Sequence, residues 1–407
     1  MGEQGTMEKD YKAFTWSDNW QIEGDKAWFV SGMHNILICL DLNTKECASA
    51  VSIPEEALSK CRLTPYCMKC GDDIFCMPDT GKSIWIYNLK ENGFSEIVLQ
   101  NPEKVRLTIY DFWMHDNKLF AVSNGLGRII EIDIKNRKLE TSYMLCEDGI
   151  RKSIKVGTDI YSLLKDKAEI CQFDLIKKTV TTYKLPDIGR KYSTFCFDGE
   201  KFWLSGYGKE IYIWKKNENT LKTITGFPKD FGIYNFSKET NGEIDCVKKE
   251  YELPAFLFSV AAGDYVWFIP FQTNKIMYAD KKTYQLHAFE VDGENETKQS
   301  LLGRIALGSK YILEYVREDR YIGLFSIKNN YILEIDAIGQ KKEIKKYTFS
   351  DKCIREMKEI FSESTLSESD GVHREIFKSI LLGQNGKGRE KPESNNGLKL
   401  YKEMLKL

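Results

Sequence analysis

Gly24-Asp25-Lys26-Ala27-Trp28-Phe29-Val30 sets a turn dipeptide before an aromatic-rich apolar run, and the same order returns along the chain. Gly71-Asp72 leads into Ile74-Phe75-Cys76-Met77, Asp116-Asn117 into Leu119-Phe120-Ala121-Val122, and Gly157-Thr158 into Ile160-Tyr161-Ser162-Leu163. Gly199-Glu200 precedes Phe202-Trp203-Leu204, and Gly263-Asp264 precedes Val266-Trp267-Phe268-Ile269. The markers lie 47, 45, 41, 42 and 64 residues apart. The long step holds a polar insertion at 229–250 that reads as a long loop. Self-similarity at a fixed period of this size is the mark of a repeat architecture, in which one small unit is stacked many times.

Each unit continues in one way. A loop rich in Gly, Asn and Asp follows, as in Ser123-Asn124-Gly125-Leu126-Gly127, and then a second apolar run that often ends in Asp, at 36–41, 129–133, 170–174 and 276–280. The polar turn after it, Asn43-Thr44-Lys45 in the first unit, uses residues that bond their own backbone and so favour turns. A further run ends near a proline, at Ile53-Pro54 and Leu185-Pro186. With the stretch before each marker, that makes four short strands per unit. A seventh, degenerate unit is expected from strands at 300–316, 321–327, 331–336 and 343–349, since terminal repeats are commonly atypical.

Four strands in about 45 residues is the period of a propeller blade. A lone four-stranded sheet cannot bury both faces; blades packed around an axis do, and leave only short edges exposed. The expected fold is therefore all-β, a seven-bladed β-propeller over 11–350, with six or eight blades as alternatives and an open sandwich as the competing architecture. In period and strand pattern the repeat resembles the broad WD40, kelch and YVTN-like class of propellers. The Trp-Asp strand ending of WD40 repeats and the double glycine of kelch repeats are absent, so the resemblance implies a fold and transfers no functional residue.

From 351 the pattern turns helical. Cys353, Met357, Ile360 and Phe361 fall on one face, as do Ile376, Ile380 and Leu381. Residues 383–397 read as a linker and 398–407 as a short amphipathic helix. This helical tail either packs back on the propeller or docks a partner.

Composition narrows the function. Lys plus Arg number 59 against 60 Asp plus Glu, which gives no reason to expect a nucleic-acid surface or a polybasic membrane anchor. No run reaches 18 apolar residues and the first eleven residues are polar, so neither a membrane span nor a secretory signal is expected. The 11 cysteines sit largely in strand-like runs and read as reduced, buried thiols of a cytoplasmic protein.

Motifs for chemistry are sparse. Cys61, Cys67, Cys70 and Cys76 cluster, and Cys67-x-x-Cys70 resembles half a zinc site. Residues three apart on a strand point to opposite faces, however, so no metal site is assigned. The four histidines are His34, His115, His287 and His373, and no Walker loop, H-E-x-x-H or G-x-S-x-G is present. No catalytic residue and no cofactor is therefore expected. Basic residues do recur: Arg62, Arg106 and Arg190 stand nine, ten and nine residues before their turn markers, with Arg151 and Arg304 out of register. On a propeller these loops open on one end of the ring, where arginines could receive a carboxylate, phosphate or acidic sugar. Tyr66, Tyr110 and Trp113 would add stacking surface, and His34 lies in a loop at the same end. The competing reading is solvated arginines paired with nearby carboxylates. The expected function is a non-enzymatic recognition scaffold for a protein, peptide or glycan partner, with an anionic small molecule or glycan as its ligand. The alternatives are a lyase or hydrolase using loop carboxylates such as Asp79, Glu147 and Asp187, and a purely architectural subunit.

Overall fold

Seven four-stranded antiparallel blades, the first extended at its outer edge by a fifth, two-residue strand, follow one another along the chain in the computed structural model. It describes residues 17–356 except 18, 32–34, 55–63, 100–106, 190, 217, 219, 233–238, 241–242, 245–253, 272, 274, 292–310, 327–330 and 354. Each sheet is one blade whose strands pair in simple sequence order. Blade 4 is representative, with Ile150–Val156, Asp159–Leu164, Glu169–Asp174 and Thr179–Lys184. The first strands of the other blades are Gln21–Glu23, Tyr66–Cys70, Ile109–His115, Tyr192–Phe197, Phe256–Ala262 and Tyr311–Arg317. These first strands form the inner edge of the ring. A small hairpin, Glu239–Thr240 with Glu243–Ile244, lies inside the polar insertion.

The core is seven wedges, one between each pair of neighbouring blades. Phe29 and Ile38 of blade 1 meet Phe325 and Ile332 of blade 7, and Val30 and Cys39 meet Ile74 and Cys76 of blade 2 on the opposite face. The remaining five junctions are filled in the same way. The aromatic run after each turn marker supplies the largest fully buried side chains, among them Phe29, Phe75, Phe120, Trp203, Phe268 and Phe325. The second strands are buried on both faces, so they read as continuous apolar runs without alternation.

Turn chemistry explains the repeat's spelling. Gly71 and Gly157 hold φ of 58° and 59° at the first central position of two-residue hairpins, where a glycine avoids steric strain. The aspartate or asparagine that ends the third strand caps the next turn in every blade but the fifth, whose third strand ends in Trp214. Asp174 Oδ1 accepts from the N–H groups of Ile176 (2.9 Å) and Lys177 (2.8 Å), and Asp280 does the same for Lys282 and Thr283. Such backbone hydrogen bonds hold the carboxyls of Asp41, Asp133, Asp174 and Asp280 below their usual range. Four residues beyond each cap, the chain turns left-handed at Lys45, Asn92, Arg137, Lys178, Tyr284 and Gln340.

Both ends of the described chain close the ring. Thr348–Phe349 pairs parallel with Glu46 and Cys47 on the outer edge of blade 1, and Glu356 Oε2 accepts from the Ala50 N–H at 2.9 Å. At the inner edge the Trp20 N–H donates to the Glu314 carbonyl of blade 7 (2.8 Å). The Trp20 ring packs against Phe29, Tyr315 and Tyr347. Asn19 donates to the Cys67 carbonyl (2.7 Å) and accepts from its N–H (3.0 Å), so it pairs with blade 2 as a strand residue would. The seventh unit departs from its sequence-based outline. Its first strand is described at Tyr311–Arg317, and its fourth, expected over 343–349, ends at Lys345. The chain leaves the blade there because the Tyr347 ring joins the Trp20 cluster, which carries Thr348–Phe349 across to blade 1. Of the helical tail, helix is described at 351–353 and 355–356; the linker and the last amphipathic segment lie outside the described residues.

Cys67 and Cys70 separate as strand geometry requires. Cys67 is buried in the wedge with blade 1, and Cys70 packs against the wedge with blade 3. Burial pushes the Cys76 thiol up to about 12. The described cysteines are all free thiols.

If the wedges carry stability, Trp203→Ala should cost about 3–5 kcal/mol, the range for removing a buried aromatic. Trp203 is fully buried between blades 5 and 6, and its indole N–H donates to Asp198 Oδ2 at 2.6 Å. Urea denaturation of wild type and variant reads this directly. A loss under about 1 kcal/mol, within the range of surface substitutions, would contradict the packing.

Candidate ligand site at the mouth of the axial channel

An inner strand with a perfect pleat sends alternate side chains into the two flanking wedges and few to the axis. Five of the seven inner strands break this pattern with a β-bulge. In blade 3, Val122 pairs with Asp111 and Ser123 with Ile109, which leaves Tyr110 as the extra residue. By the same register slip Arg151 is extra in blade 4, Ser193 in blade 5, Leu257 in blade 6 and Glu314 in blade 7. A bulge re-aims one side chain without disturbing the strand beyond it. All five bulge residues line one cavity of about 710 Å3, with Asn19 and Gln21 of blade 1 and Tyr66 of blade 2 continuing the ring.

The lining is mixed in chemistry. Tyr66 and Tyr110 lie with ring centroids 5.7 Å apart, and Trp113, Phe256, Phe258 and Tyr315 add aromatic surface. The Tyr110 hydroxyl donates to the Arg151 carbonyl at 2.7 Å, which fixes both bulges relative to each other. Lys152 ion-pairs with the buried Asp111 of blade 3, and Asp111 also accepts from the Ser153 N–H at 2.7 Å. Burial pushes the Asp111 carboxyl up, against the opposing pull of Lys152. The charge of Lys152 is thus matched within the protein.

Arg151 is different. Its Nε is buried with no acceptor among the described residues, and its Nη2 reaches only the Lys165 carbonyl, at 3.5 Å. A guanidinium carries five donors in a planar fork; here the outer end of the fork is exposed, and its charge helps Lys191 hold the Asp166 carboxyl below its usual range. Across the ring, Glu314 is 2% exposed and accepts from the Ser17 hydroxyl at 2.7 Å. Ser17 in turn receives the Trp20 indole N–H at 2.7 Å.

The sequence-based candidates divide. Tyr66, Tyr110 and Trp113 come together in the cavity. His34, Arg62, Arg106 and Arg190 lie outside the described residues. Asp79, Glu147 and Asp187 are not part of the cavity lining; Asp187 instead caps the Gly189 N–H at 2.8 Å. Sequence reasoning placed Arg151 out of register and passed over Ser193, Leu257 and Glu314. A signal was present: Tyr110, Arg151, Ser193 and Leu257 each stand six residues before their turn markers Asp116, Gly157, Gly199 and Gly263. A one-residue slip hides in that spacing until the partner strand shows it.

The ring defines a seven-bladed β-propeller with a mixed polar and aromatic axial site. Among solved structures, the fold is similar to virginiamycin B lyase from Staphylococcus aureus, with a TM-score of 0.53, 12% identity, and 76% of this chain and 92% of that one covered. It is similar also to a streptogramin B lyase, with a TM-score of 0.51, 12% identity and coverage of 76% and 90%. PorZ, a surface component of the type-IX secretion system of Porphyromonas gingivalis, matches at TM-score 0.51 and 9% identity over 82% of this chain and 38% of that one. At such identities the likeness is one of fold alone. No protein-family model matches the chain, and no curated protein matches it in sequence.

The site's floor depends on one glycine. Tyr315 crosses blade 7 to donate to Glu334 Oε2 at 2.7 Å, and it does so directly over Gly323, where a β-carbon would meet the ring at 2.2 Å. Gly323→Ala should therefore displace Tyr315 and cost about 1–3 kcal/mol, the range for overpacking. An unchanged denaturation midpoint would show that the ring is not held there.

Proposed function

We propose that this protein is a non-enzymatic recognition scaffold whose channel mouth receives an anionic group of a peptide, protein or glycan. The observation that carries the reading is Arg151, a cavity-lining residue whose buried Nε–H has no acceptor among the described residues. A carboxylate, phosphate or acidic sugar supplies the charge-assisted hydrogen bonds it lacks. Tyr66, Tyr110 and Trp113 supply flat surface for a ring or a peptide plane. A cavity of about 710 Å3 is within the range of small-ligand sites. It suits a small molecule or the end of a longer chain better than a broad protein face. The similarity to lyases lends the fold and not their reaction, because one propeller architecture hosts many functions.

The test is a binding screen of the full chain against carboxylate- and phosphate-bearing peptides and acidic glycans. Binders should weaken about 10- to 100-fold in Arg151→Ala, the equivalent of losing a charged hydrogen bond. They should recover in part in Arg151→Lys and weaken in Trp113→Ala. Binders that hold equally well to Arg151→Ala would end the reading. A binder that is cleaved during the assay would move the protein to the lyase or hydrolase class.

A further inference from the structure

A bulge frees one residue of its strand from the wedges, and blade 6 places a leucine there. Leu257 is the one aliphatic side chain among the five bulge residues. It is half-buried, lines the cavity, and belongs to none of the seven wedges of the described residues. Val316, on the neighbouring inner strand of blade 7, repeats the observation. It is 41% exposed, lines the same cavity and likewise fills no wedge. The other exposed large hydrophobic side chains among the described residues, such as Val98, Met144 and Ile344, lie on outermost strands or in turns. Phe258, Leu313 and Pro254 continue the arc. The one acid on it, Glu314, is 2% exposed and accepts from Ser17, so the exposed side-chain surface that blades 6 and 7 turn to the cavity is apolar. Wedge packing does not call for Leu257 or Val316, and water around them is unfavourable. An apolar patch inside a concave site marks the part that a ligand covers.

We propose that the ligand is a hydrophobic carboxylate, in which a carboxylate is joined to a bulky branched or aromatic group. A free hydrophobic acid and the C-terminus of a peptide ending in such a residue share this chemistry. The carboxylate lies toward Arg151, and the apolar group covers Leu257 and Val316. This rests on the anion reading above and adds the apolar half of the ligand. Blades 4 and 6 stand two places apart in the ring, and their bulges open on the same cavity of about 710 Å3, so one small ligand reaches both. An acidic sugar fits less well, because its ring hydroxyls would lose water against the arc without gaining partners. A phosphate fits less well too, since its second charge is costly to bring beside apolar side chains. Covering the arc also removes water from the carboxylate, which strengthens its hydrogen bond with the Arg151 N–H.

The experiment titrates the full chain by calorimetry with N-acetyl amino acids of growing side chain, from glycine through alanine, valine and leucine to phenylalanine, each as the acid and as the amide. Affinity should rise about fourfold for each methylene covered, and each amide should bind about tenfold or more weakly than its acid. Leu257→Asn and Val316→Thr should flatten the side-chain series and keep the preference for the acid. Arg151→Ala should keep the side-chain series and lose the preference for the acid. Since neither apolar residue fills a wedge, the urea midpoints of Leu257→Asn and Val316→Thr should match the parent; a clear fall in both would mark them as packing residues and overturn the proposal. Pentapeptides ending in leucine separate the two sources: binding at least as tight as that of N-acetylleucine assigns the site to a peptide C-terminus, and weaker binding assigns it to a free acid. Acids that bind through Arg151 with no gain from the apolar group, or with a gain that survives both Leu257→Asn and Val316→Thr, would overturn the apolar half and leave the anion reading standing. Side-chain-dependent binding that ignores Arg151→Ala and the change from acid to amide would overturn the anion reading and this proposal with it.

Discussion

Every other feature of this molecule follows from face-to-face packing of blade on blade. Each blade is apolar on both faces, and its second strand carries buried aromatic or aliphatic residues with no polar side to offer water. Such a sheet is stable only between two others, and seven of them in a circle satisfy that condition without leaving a first or a last. The junction between blades 7 and 1 is where the condition is hardest to meet, because the two ends of the chain must be brought together. It is also where the chain concentrates its fastenings: the Trp20, Phe29, Tyr315 and Tyr347 ring cluster inside, and the parallel Thr348–Phe349 strand with Glu356 outside.

The same constraint shapes the site. With both faces of each inner strand largely assigned to neighbouring wedges, regular pleating leaves few side chains to face the axis, Gln21 and Tyr66 among them. The bulges are the solution, since an added residue is the one position on the strand with no wedge to fill. Their side chains are accordingly free to differ, and they do: tyrosine, arginine, serine, leucine and glutamate. The wedges demand apolar bulk at every repeat, whereas the bulge positions carry the asymmetry a ligand can read.

The architecture was legible in the sequence because its determinants are local. Gly71-Asp72 turns a hairpin, Asp174 caps the turn that follows it, and Phe75 or Trp203 marks the strand between two wedges. The opposed faces of Cys67 and Cys70 were legible for the same reason. Ring closure was not, because Thr348 meets Glu46 some three hundred residues away and continues a strand-like run that looks like part of blade 7. The site was half legible. Tyr66, Tyr110 and Trp113 stood out as aromatics beside the loops, while Arg151 and Glu314 were hidden by a slip of one residue that no single strand reveals.

The most direct test of this account is deletion of Arg151. Removing the one extra residue lets Ile150 and Lys152 pair consecutively with Leu164 and Leu163, which restores a regular inner strand without touching a wedge. The account predicts a cooperatively folded protein, with an unfolding transition close to that of the parent, that no longer binds carboxylate-bearing ligands. A deletion variant that fails to fold, or that folds and keeps its carboxylate binding, would contradict the claim that the bulges build the site while the wedges build the fold.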